Sequence, residues 1–225
     1  MDKREFVKGS FDAIARRYDL TNRLLSFGID ALWRREAVKA LGQQELVLDL
    51  CAGTLTLSSL YLRQFEAKVV ALDFSLRMLE EGIKRRHSDG LLPLCGDALR
   101  LPFAEGTFSG AMVAFGLRNL TDPFEGLREL YRVLRPKGKL VVLEFGRPEI
   151  PVFRGLYHFY LSRVLPLLGG LITRRRDVYQ YLFRSIMAFP SKQEMLQGMQ
   201  RIGFQGLRFQ DLTGGICVLY EGEKP

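Results

Sequence analysis

The sequence predicts a doubly wound α/β fold: a mostly parallel, seven-stranded sheet flanked by helices, closed by a C-terminal antiparallel hairpin and covered by a helical lid. Three observations predict it. From residue 45 to about 150, short apolar runs alternate with amphipathic stretches, the rhythm of βαβ units and a parallel sheet. The first apolar run opens into "LDLCAGTLTL", a strand leading to a glycine-containing loop and then a helix. Beyond residue 150 the rhythm breaks into a long helical region, and the chain ends in two strand-like runs around Gly214-Gly215.

Taken in order, residues 8–41 read as helical. Phe11, Ile14, Ala15 and Tyr18, then Leu32, Ala37, Val38 and Leu41, recur at helical spacing. The intervening "LTNRLLSFGID" carries turn residues, and Gly42 is the stop. "ELVLDLC" is the first strand, followed by a helix over 55–65. "KVVALDF" is the second strand, with Ser75 capping the helix after it. "LLPLCGDA" and "SGAMVAFG" are the third and fourth. Asp122-Pro123 starts a helix, with proline at its first position and Glu125 in its first turn. "VLRPKGK" ends it, and "KLVVLEF" is the fifth strand. A helical region spans 151–189, and Ser191 with Glu194 forms a capping box for the next helix. The length of 225 residues fits one domain, 1–225, with an N-terminal helical cap over 1–42 and a lid insertion over 151–189.

Composition narrows the function. With 47% hydrophobic residues the chain can bury a sizeable core. Three scattered cysteines make no disulfide framework, which points to a reducing compartment, the cytoplasm. Two distant histidines and the lack of a CxxC pair argue against a protein-built metal site. The N-terminus has no apolar signal-like stretch. A net charge of +8 favours anionic partners without choosing among nucleic acid, a lipid surface and an acidic ligand.

In a sheet of this kind ligands sit beyond the carboxyl ends of the strands. The first strand ends at Asp49 and the loop with Gly53, the second at Asp73, the third at Gly96-Asp97-Ala98, and the fourth in "FGLRN", Phe115 to Asn119. An acid after the second strand suits a ribose diol. An acid after the third suits the exocyclic amine of adenine. Together they point to an adenosine-bearing cofactor. The full glycine set of a dinucleotide site is missing, and no phosphate-binding GK[ST] loop is present. S-adenosylmethionine, which carries a sulfonium and no phosphate, fits this loop better.

Several longer stretches carry a resemblance: "FDAIARRYDLTNRLLSFGIDALWRR", "LPFAEGTFSGAMVAFGLRNLTD", "YRVLRPKGKLVVLEF", "YQYLFRSIMAFPSKQEML" and "GFQGLRFQDLTGGI". Across nearly the whole chain the sequence is similar to the ubiquinone/menaquinone biosynthesis C-methyltransferase family. The resemblance implies a Rossmann-like class I methyltransferase fold that uses S-adenosylmethionine to methylate a ring carbon of a polyprenylated hydroquinone. Demethylmenaquinol is the favoured substrate, a methoxy-benzoquinol the alternative. It implies cofactor contacts from Thr54, Asp73, Asp97, Ala98 and the backbone near Ala114, with Gly53 in the loop. Tyr18 and Asn22 would close the N-terminal segment over the cofactor, and Arg118 and Asn119 would face methyl transfer. Three candidates stand for the base that removes the ring proton: His158, Asp177 and a water held by Arg118. A homodimer or a complex of quinone-synthesis enzymes is the expected assembly.

The chain departs from the family at "GTLT", Gly53 to Thr56, where "GTGD" is usual: Leu55 replaces a glycine and Thr56 an acid. Leu55 costs little on helical backbone and more where φ is positive. Tyr220 replaces a usual histidine, and Arg174-Arg175-Arg176 stands where acidic residues are common. Residues 152–172 are strongly apolar yet interrupted by Arg154, Arg163, His158 and Pro166, which suits an interfacial element better than a spanning helix. Docking on an anionic membrane, at the inner face of the inner membrane, is one expectation; a buried lid helix with a solvated basic face is the other. Two further readings compete. A nucleic-acid methyltransferase lacks its Asn/Asp-Pro-Pro-aromatic loop and Pro-Cys pair here. A non-catalytic scaffold is supported only by "GTLT".

Overall fold

Five apolar runs form parallel strands at the centre of the computed structural model, which describes residues 3–225. They are β1 (Leu46–Leu50), β2 (Lys68–Asp73), β3 (Leu91–Cys95), β4 (Phe108–Ala114) and β5 (Leu134–Phe145). β6 (Gln205–Leu212) and β7 (Cys217–Glu223) complete a seven-stranded sheet of order β3-β2-β1-β4-β5-β7-β6. β7 runs antiparallel between β5 and β6. The order reverses between β1 and β4, so a crevice opens at their carboxyl ends.

Alternating side chains supply both faces of the sheet. Val47, Met112, Val141 and Leu143 pack under α3 (Asp30–Leu41) and α4 (Thr56–Leu62). Leu48, Leu50, Ala111, Val113, Leu140 and Val142 pack against α6 (Pro123–Val133) and α10 (Lys192–Ile202). The expected caps form: Ser75 accepts from the Met78 amide at 3.1 Å and opens α5 (Leu76–Arg85). Asp122 accepts from Phe124 at 2.8 Å, and Ser191 and Glu194 close their box.

The helical cap begins with α1 (Lys3–Ile14), passes a 3₁₀ turn, and continues as α2 (Tyr18–Leu25). The expected turn segment is thus mostly helix, and only Ser26 to Ile29 turns. The helix after the first strand is shorter than expected and begins at Thr56, with Leu55 at the cap position. β5 starts at Leu134, so the Arg-Pro-Lys-Gly stretch lies in a bulged strand. The lid is three helices, α7 (Pro151–Phe159), α8 (Leu165–Thr173) and α9 (Arg176–Ala188), with a π turn between the first two. They gather their own small core of Ile14, Tyr157, Leu161, Leu165, Val178 and Ile186.

Candidate active site

Two hollows share one wall above the strand ends. The smaller, about 80 Å³, sits over β1, β2 and β4. Its floor carries unusual backbone: Cys51 and Phe115, the residues immediately after β1 and β4, have φ of 57° and 59°. Non-glycine residues there cost about 1–2 kcal/mol each, a strain that clusters at functional sites. Gly116 must be glycine, because a Cβ would stand 2.4 Å from that of Cys51.

Asp73 organises this pocket. Its carboxylate accepts the Gly53 amide at 2.8 Å and the Ser75 amide at 2.8 Å. Burial outweighs these two donors and pushes its pKa up to about 6. Asp97 accepts the Leu99 amide at 3.0 Å and pairs with Arg4 of α1 at 3.0 Å. Leu72, Phe74, Met78, Ala98 and Leu99 supply flat apolar walls. Carboxylates at the ends of β2 and β3, with apolar walls between them, fit S-adenosylmethionine: a ribose diol on Asp73, an adenine amine at Asp97 and no phosphate to satisfy. Helix α1 roofs the pocket through Arg4, Val7 and Phe11, latched by Asp12, which accepts the Ser75 hydroxyl.

The larger hollow, about 480 Å³, runs under the lid from Phe115 and Asn119 to an exposed mouth at Phe27, Leu156 and Phe159. Phe11, Tyr18, Phe115 and Asn119 line both hollows and form the shared wall. Its inner end is aromatic and cationic. Phe115 and Phe145 stack at 4.5 Å, and Trp33 closes on both rings at 6.2 Å. Arg118 lies over Phe145 at 5.1 Å. Its Nη1 donates to Glu144 at 2.8 Å and to the Phe115 carbonyl, while its Nε has no partner. Seven buried polar atoms line this cavity without a hydrogen-bond partner among the described residues: Ser10 Oγ, Arg34 Nε, Arg118 Nε, Asn119 Oδ1, Tyr157 OH, Tyr179 OH and Tyr181 OH. Buried polar groups are normally paired, so this concentration marks a place for a polar ligand group.

Most of the residues expected from sequence meet here. Tyr18, Gly53, Asp73, Asp97, Ala98, Ala114 and Asn119 line the smaller pocket, and Asn22 and Arg118 line the larger cavity. Three do not. Thr54 faces away from both hollows: its hydroxyl donates to Asp19 of α2, and its carbonyl accepts Arg86 at 2.7 Å. His158 is exposed on the outside of α7, edge-on to Phe183 at 4.9 Å. Asp177 is also exposed and pairs with Arg175 at 2.8 Å. Neither reaches the shared wall, so neither is placed to take a ring proton.

The departing loop has a structural answer. Leu55 takes φ of 64°, the conformation that favours glycine, yet its side chain is fully buried against Ala71 and Leu79. Gly82 makes room for it, since a Cβ there would stand 2.7 Å from Leu55 Cγ. Burying a leucine contributes about 1.5–3 kcal/mol, which offsets the backbone cost. Thr56 is the first helical residue and no cap. It shares Asp19 with Thr54, so α2 brings a carboxylate to the loop, held in turn by Arg86 at 2.7 Å.

Sequence reasoning missed Glu144 and Arg34. Both had a signal. Glu144 is the one charge in an otherwise apolar half-strand, "LVVLEF". Arg34 falls on the buried stripe of α3 with Ala37, Val38 and Leu41. A charged residue on a buried face asks for a partner.

Comparison with known proteins agrees with this geometry. The ubiE/COQ5 methyltransferase family matches residues 1–224. The chain is 43% identical to the ubiquinone/menaquinone biosynthesis C-methyltransferase UbiE of Geobacter sp. (strain M21), covering 99% of this chain and 98% of that protein. It is 44% identical to the demethylmenaquinone methyltransferase of Mycobacterium marinum, covering 97% and 94%. A solved S-adenosylmethionine-dependent methyltransferase of Thermotoga maritima, described as a possible histamine N-methyltransferase, superposes with a TM-score of 0.72 at 21% identity, over 97% of this chain and 100% of that one; it speaks for the fold alone. With its fold, its adenosine pocket and its sequence in agreement, the chain belongs to the ubiE/COQ5 methyltransferase family.

Proposed function

We propose that the protein methylates a ring carbon of a polyprenylated hydroquinone, with demethylmenaquinol as its substrate. The observation that carries this reading is the larger cavity. It is apolar along its length, opens at an apolar mouth, and ends in unpaired polar atoms beside the cofactor pocket. A long isoprenoid tail with a dihydroxylated ring matches that gradient.

S-adenosylmethionine supplies an electrophilic methyl group. The chain's residues do the rest. Phe115, Tyr18 and Asn119 hold the ring against the shared wall, where a carbon beside a hydroxyl faces the methyl donor. Arg118 stabilises the oxygen of that hydroxyl as its proton is lost, through a charge-assisted hydrogen bond from its free Nε. Glu144 fixes the other edge of the guanidinium. The hydroxyl proton passes to water, the ring carbon gains the methyl group and gives up its own proton, and the oxygen is reprotonated, so one proton is released net for each methyl transferred. His158 and Asp177 face outward, which leaves a water bound to Arg118 as the remaining candidate acceptor.

Tail entry places the mouth at a membrane. Ile150, Val152, Leu156, Phe159 and Leu171 are exposed on or beside α7 and α8, and Arg154, Arg163 and Arg174 are exposed on the same segments. No helix among the described residues is long and apolar enough to cross a membrane. The arrangement suits docking on the anionic inner face of the inner membrane.

The test presents reduced demethylmenaquinol, and separately a methoxy-benzoquinol, in vesicles of zwitterionic or anionic lipid, and follows methylated product by mass spectrometry. Methylation of the naphthalene ring, faster on anionic vesicles, is expected. Protein that binds S-adenosylmethionine and methylates neither quinol would overturn the reading.

A further inference from the structure

We infer that Arg34 is the second anchor of the aromatic substrate: it binds the ring oxygen opposite the one held by Arg118, and so sets the angle at which the ring meets the methyl donor. This rests on the quinol reading above.

Arg34 is an unusual side chain. It is 8% exposed, and among the described residues it makes no hydrogen bond. The one carboxylate within ion-pair distance is Asp30, 3.7 Å from Nε and beyond hydrogen-bond distance, while the buried Asp49 feels the charge of Arg34 from farther off. Burying a guanidinium with five donors and no acceptor is costly, and a cavity-lining position keeps its head available to an incoming oxygen.

Its location gives that oxygen a place. Arg34 lies over the ring of Phe115 at 5.1 Å, and Arg118 lies over Phe145 at 5.1 Å. Those two rings form one stack, so both cations belong to one aromatic platform at the inner end of the cavity. Both also act on Tyr18 in the shared wall, where each pulls down a hydroxyl pKa that burial raises. A para-dihydroxylated ring carries its oxygens at opposite ends. A single contact at Arg118 leaves such a ring free to pivot. A second contact at the far oxygen fixes the carbon to be methylated, and positioning of this kind governs the rate of in-line transfer. The structural alternative is that Arg34 only covers Phe115 and balances Asp30.

A pair of substrates separates the two. One is 2-prenyl-1,4-naphthohydroquinone. The other is 3-prenyl-1-naphthol, the same ring and tail without the far hydroxyl. Removing a hydrogen bond to a charged group costs roughly ten- to a hundredfold, so the wild-type protein should prefer the quinol by that factor in kcat/KM. Arg34→Met should lose a similar factor on the quinol and treat the two substrates within about threefold. Calorimetry without cofactor should show weaker quinol binding in Arg34→Met and unchanged naphthol binding. If Arg34→Met falls equally on both substrates and keeps the preference, the proposal is overturned. If it does not fold, Arg34→Lys carries the comparison: a reduced preference supports the proposal, and a wild-type preference overturns it. If the wild-type protein binds S-adenosylmethionine but methylates neither ring, the quinol reading fails and takes this inference with it. A wild-type protein that methylates both equally overturns the inference alone.

Discussion

The two hollows are built in opposite ways. The smaller has its carboxylates satisfied by the protein itself: Asp73 by two amides, Asp97 by an amide and Arg4. The larger leaves polar atoms of seven side chains unpaired within an otherwise apolar lining. A pocket for a small, polar cofactor can be pre-organised because its ligand exchanges one set of hydrogen bonds for another. A cavity for a lipid-tailed ring has its polar work concentrated at one end, and there the protein keeps its donors in reserve.

Three substitutions sharpen this contrast, from the largest effect down. Arg118→Met removes a cation from the larger cavity alone. It should lower kcat by roughly 10²–10³, the loss typical of one transition-state donor, while S-adenosylmethionine binding by calorimetry stays within about twofold. Equal loss of both would mean the hollows are not independent. Asp73→Asn should do the reverse and weaken the cofactor by roughly ten- to a hundredfold. The same residue gives the smaller pocket a pH dependence. Its carboxyl titrates near 6, and ribose hydroxyls donate to the ionised form. Affinity should therefore fall as pH drops through about 6 and level off above it, with a flat profile in Asp73→Asn across that window. Leu55→Gly should touch neither ligand, because Leu55 lines neither hollow. It relieves a left-handed leucine but empties a buried site, and a net loss of about 1–3 kcal/mol in urea unfolding is expected. A large gain in cofactor affinity would show that the loop departure does impair the pocket.

How much of this was legible in the sequence follows from the range of the interactions. Ser75, Asp122-Pro123 and Ser191 with Glu194 act within one helical turn, and each forms as its local pattern says. Asp73 and Asp97 were readable because the alternation of strands and helices alone puts them at the carboxyl ends of β2 and β3, on the side of the sheet where the crevice opens. The breaks in the lid had one signal, Pro166, which cannot donate the helical bond to Ser162 inside the π turn at Tyr160 to Val164, but a proline alone does not say which form the break takes. Thr54 was misplaced because Asp19, far away in the chain, claims its hydroxyl. His158 was attractive as a titratable group near the right segment, but helical phase put Tyr157 inward and His158 outward. Arg34 and Glu144 stood out only as charges on apolar faces, a signal that says something is needed without saying what.

The fold also equips the molecule with its own optical reporter. The chain has a single tryptophan, Trp33, and it stands in the wall of the larger cavity and not of the smaller pocket. Its indole N–H is fixed to the Thr213 hydroxyl at 2.8 Å, so the fluorophore sits in one orientation against Phe115 and Phe145. The oxidised quinone counterpart of the proposed hydroquinone accepts electrons from an excited indole at contact distance and quenches it, so the quinone serves as the probe of this cavity. The ultraviolet emission of the unlabelled protein therefore tracks occupancy of the lipid cavity alone, and the arrival and departure of the ring become visible in real time while the cofactor stays dark.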